Sequence, residues 1–296
     1  MSNADQEKKI RRFIERMPSL STTVTKVLDV CNQPTTSAND LNRVIALDPV
    51  LTGQVLKLIN SAYYSLPNQI GSLTRAIILL GVNTIKNLAL STAVLGGIGR
   101  EDSFQSLDMD KFWTHSLGVG VTAKMLAGRR GGLRQQQEEY FVAGLLHDLG
   151  KIPLNACFPQ EYRKVQELAA VRRLPLDRAE AAVLGLDHGR VGRMIGEKWQ
   201  LNSDLVELLA GHHRASAEVR EDVRALAALV AVADAFINLR GPGAAGNYYP
   251  DKENLKALLQ QEKINWRALA GLLPEVEAEI EKAQVFLTVA QSKESL

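Results

Sequence analysis

The stretch that most constrains this chain is Gly144-Leu145-Leu146-His147-Asp148-Leu149-Gly150-Lys151. A histidine and an aspartate stand side by side at the end of an apolar helical run, followed by a glycine break and a lysine. Neighbouring residues on a helix point about 100° apart, so these two side chains converge on one point only at an element's end or inside a crowded bundle. An ionisable pair in so apolar a setting is costly to bury unless something compensates, and a cation is the usual compensation. The fold must therefore bring further ligands to this place.

Spacing elsewhere says what kind of fold that is. Nearly every segment carries apolar residues at helical intervals, and no convincing period-2 strand occurs. Helices are expected over about 6–17, 21–32, 37–47, 50–62, 72–80 and 82–95, with breaks at Pro18, Asp48-Pro49 and Gly81. The polar, glycine-bearing stretch 96–108 reads as a boundary. Beyond it, helices are expected over about 109–128, 137–149, 159–173, 177–199, 203–213 and 220–240. A loop over 241–249 and a C-terminal pair, about 251–260 and 265–291, complete the chain. The expected class is all-α, in two lobes. Residues 1–14 read as a tag remnant (Met-Ser-Asn-Ala) and leading helix, 15–100 as an N-terminal helical lobe, 101–240 as a second helical bundle, and 241–296 as a C-terminal helical extension.

Composition narrows the function classes. At 296 residues and 46% hydrophobic, the chain is long enough for a substantial core. A net charge of +2 argues for neither a nucleic-acid nor a membrane surface. No run reaches the roughly 18 apolar residues of a membrane span, and no signal-peptide pattern follows the start. Cys31 and Cys157 have no CxxC neighbour, so they read as small core residues of a reduced, cytoplasmic protein.

Five histidines are present: His115, His147, His188, His212 and His213. His115 lies in the stripe Phe112, His115, Val119, Thr122, Leu126, and His188 in Leu184, His188, Val191, Ile195. His212 and His213 follow Leu208 and Leu209 by one helical turn, and Asp234 is the only charge between Ala225 and Ile237. Each group thus sits on a mainly apolar stripe. Taken alone, any of the histidines reads as a satisfied core residue, and Asp234 as a cap or an arginine partner. Burying five imidazoles and two carboxylates separately would cost several kcal/mol in unpaired polar groups. One shared cation site resolves all of them. Imidazole and carboxylate ligands without thiolate suit Fe, Mn, Zn, Ni or Co. Two ions about 3.5–4 Å apart would use six or seven ligands, with Asp148 bridging.

His115, His147-Asp148 and Asp234 resemble the four-ligand set of the HD superfamily of metal-dependent phosphohydrolases. The longer order, with His147-Asp148-Leu149-Gly150-Lys151, His188 and His212-His213, is similar to the HD-GYP branch, which acts on cyclic dinucleotides. That resemblance implies one metal on His115, His147, Asp148 and Asp234, a second on Asp148, His188, His212 and His213, and Lys151 facing a substrate phosphate. The chain departs from the branch where Arg214-Ala215-Ser216 follows His212-His213, and no Gly-Tyr-Pro occurs. Lys111 stands where an acidic residue would support a third metal.

The N-terminal half explains the departure. Asp48-Pro49-Val50-Leu51-Thr52, Leu56-Lys57-Leu58-Ile59-Asn60-Ser61-Ala62 and Ile70-Gly71-Ser72-Leu73-Thr74-Arg75-Ala76-Ile77 strongly resemble the HDOD family, over roughly residues 15–240. The resemblance implies a two-lobed helical HDOD fold and a regulatory protein of bacterial signal transduction, here with the metal ligands kept. Its partners would be signalling proteins or a phosphate-bearing nucleotide, with no nucleic acid and no membrane; the oligomeric state is left open. A metal-dependent phosphohydrolase, with Asp148 and Lys151 as catalytic residues, is the alternative, and a metal-free helical scaffold the third. Around the site, Arg190, Arg193 and Arg214 read as surface salt-bridging residues or an anion-attracting rim. Tyr63 and Tyr64 read as packing or as a contact to the second lobe or a partner, and Trp113 and Trp199 as core or inter-helix packing.

Overall fold

Side-chain caps fix where many of the helices begin. Ser37 and Asp40 form a reciprocal capping box, and Asp48, Ser72, Asp108 and Asn202 each accept a first-turn backbone N–H. The structure, a computed structural model, describes residues 3–33, 35–98, 106–131, 134–214 and 219–291. Every regular element among them is a helix. The expected boundary at 96–108 lies partly outside the described residues, as do Ala215 and Ser216.

Helix α1 (Asn3–Arg16) precedes the first lobe, which holds α2 (Thr22–Cys31), α3 (Ala38–Ile45), α4 (Pro49–Ile59), α5 (Leu73–Leu80) and α6 (Val82–Gly97). The second bundle holds α7 (Met109–Arg129), α8 (Arg134–Leu146), α9 (Lys151–Cys157), α10 (Pro159–Arg172), α11 (Leu176–Leu184), α12 (His188–Lys198), α13 (Ser203–Gly211) and α14 (Arg224–Arg240). Then come α15 (Lys252–Gln261), α16 (Trp266–Gly271), α17 (Leu273–Ala283) and α18 (Val285–Gln291). Asn3 and Ala4 of the stretch read as a tag remnant belong to α1, which packs on α9 and α12 of the second bundle; Met1 and Ser2 lie outside the described residues. Lys9 donates to the Cys157 carbonyl at 2.6 Å, and Trp199 Nε1 to that of Pro18 at 3.1 Å.

Three expected helices need correction. The helix over 177–199 is two, because Gly185 takes a left-handed φ of +68° and Asp187 caps a new start by accepting from the Arg190 N–H. The helix over 137–149 stops at Leu146; a tight turn carries His147 and Asp148 before α9 begins. The helix over 265–291 breaks at Leu272 and again at Gln284.

Two features place the His-Asp turn. Gly120 of α7 and Gly144 of α8 let these helices cross with backbones nearly touching, for a Cβ on Gly144 would lie 2.7 Å from the Gly120 Cα. Gly150 lies so close to α12 that a Cβ there would overlap the His188 carbonyl oxygen. The lobes are tied together as well. Lys124 donates to Glu138 at 2.6 Å and to the Tyr63 hydroxyl at 3.1 Å, and the Tyr64 hydroxyl donates to Glu138 at 3.3 Å. Phe286 of α18 stacks with Tyr63 and with Phe141 at centroid distances of 5.2 and 4.8 Å. Trp113 and Trp199 are buried, as expected. No single described helix is long and apolar enough to cross a membrane.

Gly144→Ala should lower stability by about 1–3 kcal/mol through overpacking, whereas Gly53→Ala, at an exposed helical site with nothing within 4 Å, should leave it unchanged or slightly raised. Thermal melts of the two variants beside the parent protein test this.

Candidate metal centre

Five helices and the turns after two of them deliver the ionisable groups to one point. His115 comes from the middle of α7, His147 and Asp148 from the turn after α8, and His188 from the first residue of α12. His212 and His213 come from the end of α13, and Asp234 from the middle of α14. All are buried except His213, which is half-buried.

Asp148 sits at the middle. Its Oδ2 lies 3.2 Å from His147 Nε2 and 3.8 Å from His115 Nε2, while its Oδ1 lies 3.4 Å from His188 Nε2 and 3.8 Å from His212 Nε2. Asp234 Oδ1 is 3.1 Å from His115 Nε2 and 3.4 Å from His147 Nε2. His213 Nε2 lies 2.9 Å from His188 Nε2. Two groups of four result, His115-His147-Asp148-Asp234 and Asp148-His188-His212-His213, each with donor atoms within 4.8 Å of one another. Asp148 belongs to both. The arrangement therefore brings together all seven residues expected from the sequence.

Three of the rings are oriented from behind. Nδ1 of His147 meets the Gly144 carbonyl at 2.6 Å, Nδ1 of His212 meets that of Leu208 at 3.3 Å, and Nδ1 of His188 meets Glu180 Oε2 at 2.5 Å. A ring that donates from Nδ1 carries its lone pair on Nε2, aimed at the centre. Accordingly the Nε2 atoms of His115, His147 and His212, and Oδ1 of Asp148, are buried without a hydrogen-bond partner. Groups so placed are expensive to leave unanswered. Their fit to divalent cations is the direct one: imidazoles and carboxylates, with no thiolate in either group.

Protonation follows the same geometry. Burial, against the pull of the nearby carboxylates, lowers His115 and His212 below the ordinary histidine value. Burial, then the charges of His212 and His188, drives His213 well below it. Burial also opposes a charge on His147, but Asp148 and then Asp234 outweigh it and raise that ring to about 10. His188 is raised too, since Glu180 overcomes its burial. For Asp148 burial pushes upward, yet His147 and Lys151 hold it well below the carboxylate range; His115 and His147 do the same for Asp234.

Sequence reading missed several supports. Glu180 is buried, accepts from the His188 backbone N–H at 2.8 Å and from the Tyr162 hydroxyl at 2.8 Å, and so anchors His188 twice. Its setting, Ala179-Glu180-Ala181-Ala182, carries the same signal that marked Asp234, an acid among alanines. Asn238 donates to Asp234 Oδ1 at 2.6 Å.

Lys151 is not a solvated helix end. It is fully buried, and its Nζ donates to Asp148 Oδ2 at 2.6 Å and to the Ala245 carbonyl at 3.1 Å. That carbonyl belongs to a strap, residues 241–251, laid over the centre. The Ala244 N–H donates to the Lys111 carbonyl at 3.1 Å, Asn247 reaches Asp234 Oδ2 at 3.5 Å, and Arg178 pairs with Asp251. The opening left beside His212, His213 and Asp234 is a slot of about 50 Å³. Two of the rim arginines are paired away from the centre, Arg190 with Glu7 at 2.7 Å and Arg193 with Glu207 at 3.0 Å.

Glu180→Gln should weaken binding of added Mn by about 10–100-fold, because the carboxylate that sets the His188 tautomer is gone; competition with a chromophoric chelator measures it, with far-UV circular dichroism as the check on folding. The proton on His147 must leave before a metal can bind, so Mn added to chelator-stripped protein should acidify a weakly buffered solution, and His147→Gln should reduce that release.

Comparison with known proteins agrees with this geometry. The HDOD domain profile matches residues 17–215. An HDOD domain protein of unknown function from Geobacter sulfurreducens is 26% identical, with 95% of this chain and 98% of that one covered and a TM-score of 0.70. A candidate phosphohydrolase from Shewanella amazonensis SB2B is 23% identical, with 94% and 98% covered and a TM-score of 0.69. A candidate signal transduction protein from Marinobacter aquaeolei VT8 is 18% identical, with 98% and 66% covered and a TM-score of 0.71. An uncharacterized protein of Treponema pallidum (strain Nichols) is 24% identical over 224 residues, which is 76% of this chain and 42% of the relative's length. With two thirds of its length matched by that profile, the chain belongs to the HDOD domain family.

Proposed function

We propose that this protein is a regulatory component of bacterial signal transduction, cytoplasmic, whose buried centre holds two divalent transition-metal ions and whose output is contact with partner proteins. The observation that carries the reading is closure of the centre. The seven ligand candidates face inward, the ammonium of Lys151 is already taken by Asp148 and the Ala245 carbonyl, and the slot beside the centre is about 50 Å³. That is small beside the roughly 300–1,000 Å³ of small-molecule sites, so the slot suits an ion and water rather than a phosphoester. His115, His147, Asp148 and Asp234 would hold one ion, and Asp148, His188, His212 and His213 the other. Bound there, the ions would neutralise two carboxylates and tie α7, the turn after α8, α12, α13 and α14 through shared ligands, which makes the centre a brace for the partner-binding surface.

The completeness of the ligand set supports a second reading, a metal-dependent phosphohydrolase acting on a cyclic dinucleotide or nucleotide phosphoester. Divalent ions would supply the activation of water and the neutralisation of phosphate charge. In that reading the strap must lift, Lys151 must exchange the Ala245 carbonyl for a phosphate oxygen, and Asp148 must hold the ions in place.

Elemental analysis of the purified protein, followed by assays on cyclic dinucleotides and nucleotide monophosphates with Mn and with Fe, separates the readings. Near two equivalents of a divalent transition metal with no turnover is the expected result. Turnover that disappears in Asp148→Asn would move the assignment to the hydrolase. Absence of metal under several purification conditions would reduce the protein to a helical scaffold.

A further inference from the structure

A second cavity lies apart from the metal centre. Helix α6 of the first lobe and α7, α8, α13 and α14 of the second enclose a pocket of about 350 Å³, within the roughly 300–1,000 Å³ range of small-molecule sites. Lys86 and Asn87 line it from α6. Lys86 is only 8% exposed, and among the described residues its ammonium has no hydrogen bond or ion pair. Asn87 is 5% exposed, and its Nδ2 has no hydrogen-bond partner. A buried amide donor with no partner is unfavourable as it stands, and the Lys86 ammonium beside it, its stem buried, opens on the pocket unpaired. One bound acceptor group would satisfy both.

The rest of the lining narrows its chemistry. Val142, Leu205 and Leu226 provide an apolar wall. Glu139, Asp204 and Asp222 line the same pocket. Arg130 lines it too, but is paired with Glu262; three carboxylates disfavour a polyanion such as a nucleotide polyphosphate, and the one unpaired ammonium with its neighbouring amide donor matches a single carboxylate. We propose that this pocket binds a small monocarboxylate, its carboxylate on Lys86 and Asn87 and its apolar body against Val142, Leu205 and Leu226. The position gives binding a consequence. The same α8 ends at His147, α13 ends at His212, and α14 carries Asp234. A ligand wedged between these helices and α6 bears on both lobes and on the frame of the metal centre.

Calorimetric titration of the full chain with benzoate, 3-methylbutanoate and leucine, and with inorganic phosphate and AMP for contrast, tests the proposal without reference to metal content. At least one monocarboxylate should bind with a Kd below about 1 mM, more tightly than phosphate or AMP. Lys86→Met should weaken that binding at least about tenfold. Asn87→Asp, which sets an internal carboxylate beside Lys86, should do the same while raising the melting temperature, and it serves if Lys86→Met fails to fold. The proposal is overturned if no monocarboxylate binds up to roughly 10 mM, if phosphate or AMP binds more tightly, or if the folded variants bind as well as the parent.

Discussion

Asp148 is a carboxylate with no access to water, set among four imidazoles and an ammonium. Burying one unanswered carboxylate would cost several kcal/mol. The bundle is arranged around supplying it with positive charge. Lys151 and a protonated His147 do so in the metal-free protein, and cations would do so in a loaded one. That single requirement explains why α7, α8, α12, α13 and α14 all direct a histidine or an acid inward from otherwise apolar faces.

Holding the rings at the right angle falls to groups that never reach the centre. Backbone carbonyls at Gly144 and Leu208 and the carboxylate of Glu180 take the Nδ1 positions, so the Nε2 lone pairs are presented together. Glycines set the distances. Gly120 against Gly144 brings α7 to α8, and Gly150 lets α12 approach until His188 faces Asp148. A side chain at any of these positions would move a ligand by more than a metal site tolerates. The interlobe cluster of Tyr63, Tyr64, Lys124 and Glu138, with Phe286 from α18, couples this framework to the first lobe.

The strap over residues 241–251 closes on the centre through Ala244, Ala245 and Asn247. Lys151 would be the obvious phosphate contact, yet it is committed within the fold. Metal ions held there would act on stability and on the relative placement of helices. That would suit the regulatory role proposed above, whose output depends on which surfaces are presented. The lobe interface pocket would add a small-molecule input at the other end of the same helices.

Much of this was legible in the residues alone. Apolar spacing gave the helices, and the recurrence of an ionisable group on apolar stripes marked all seven candidate ligands, because a buried charge stands out against hydrophobic neighbours wherever it falls. Local sequence also misled: α11 and α12 read as one helix, since their periodicity continues through Gly185, and only the left-handed turn there shows His188 to be a helix start. Glu180, the strap over Lys151 and the division of ligands by the two oxygens of Asp148 depend on contacts between segments far apart in the chain. Sequence determines which groups are too polar for the faces they occupy. Only tertiary packing decides which of them meet, because the distances are set by helix crossings that no single segment encodes.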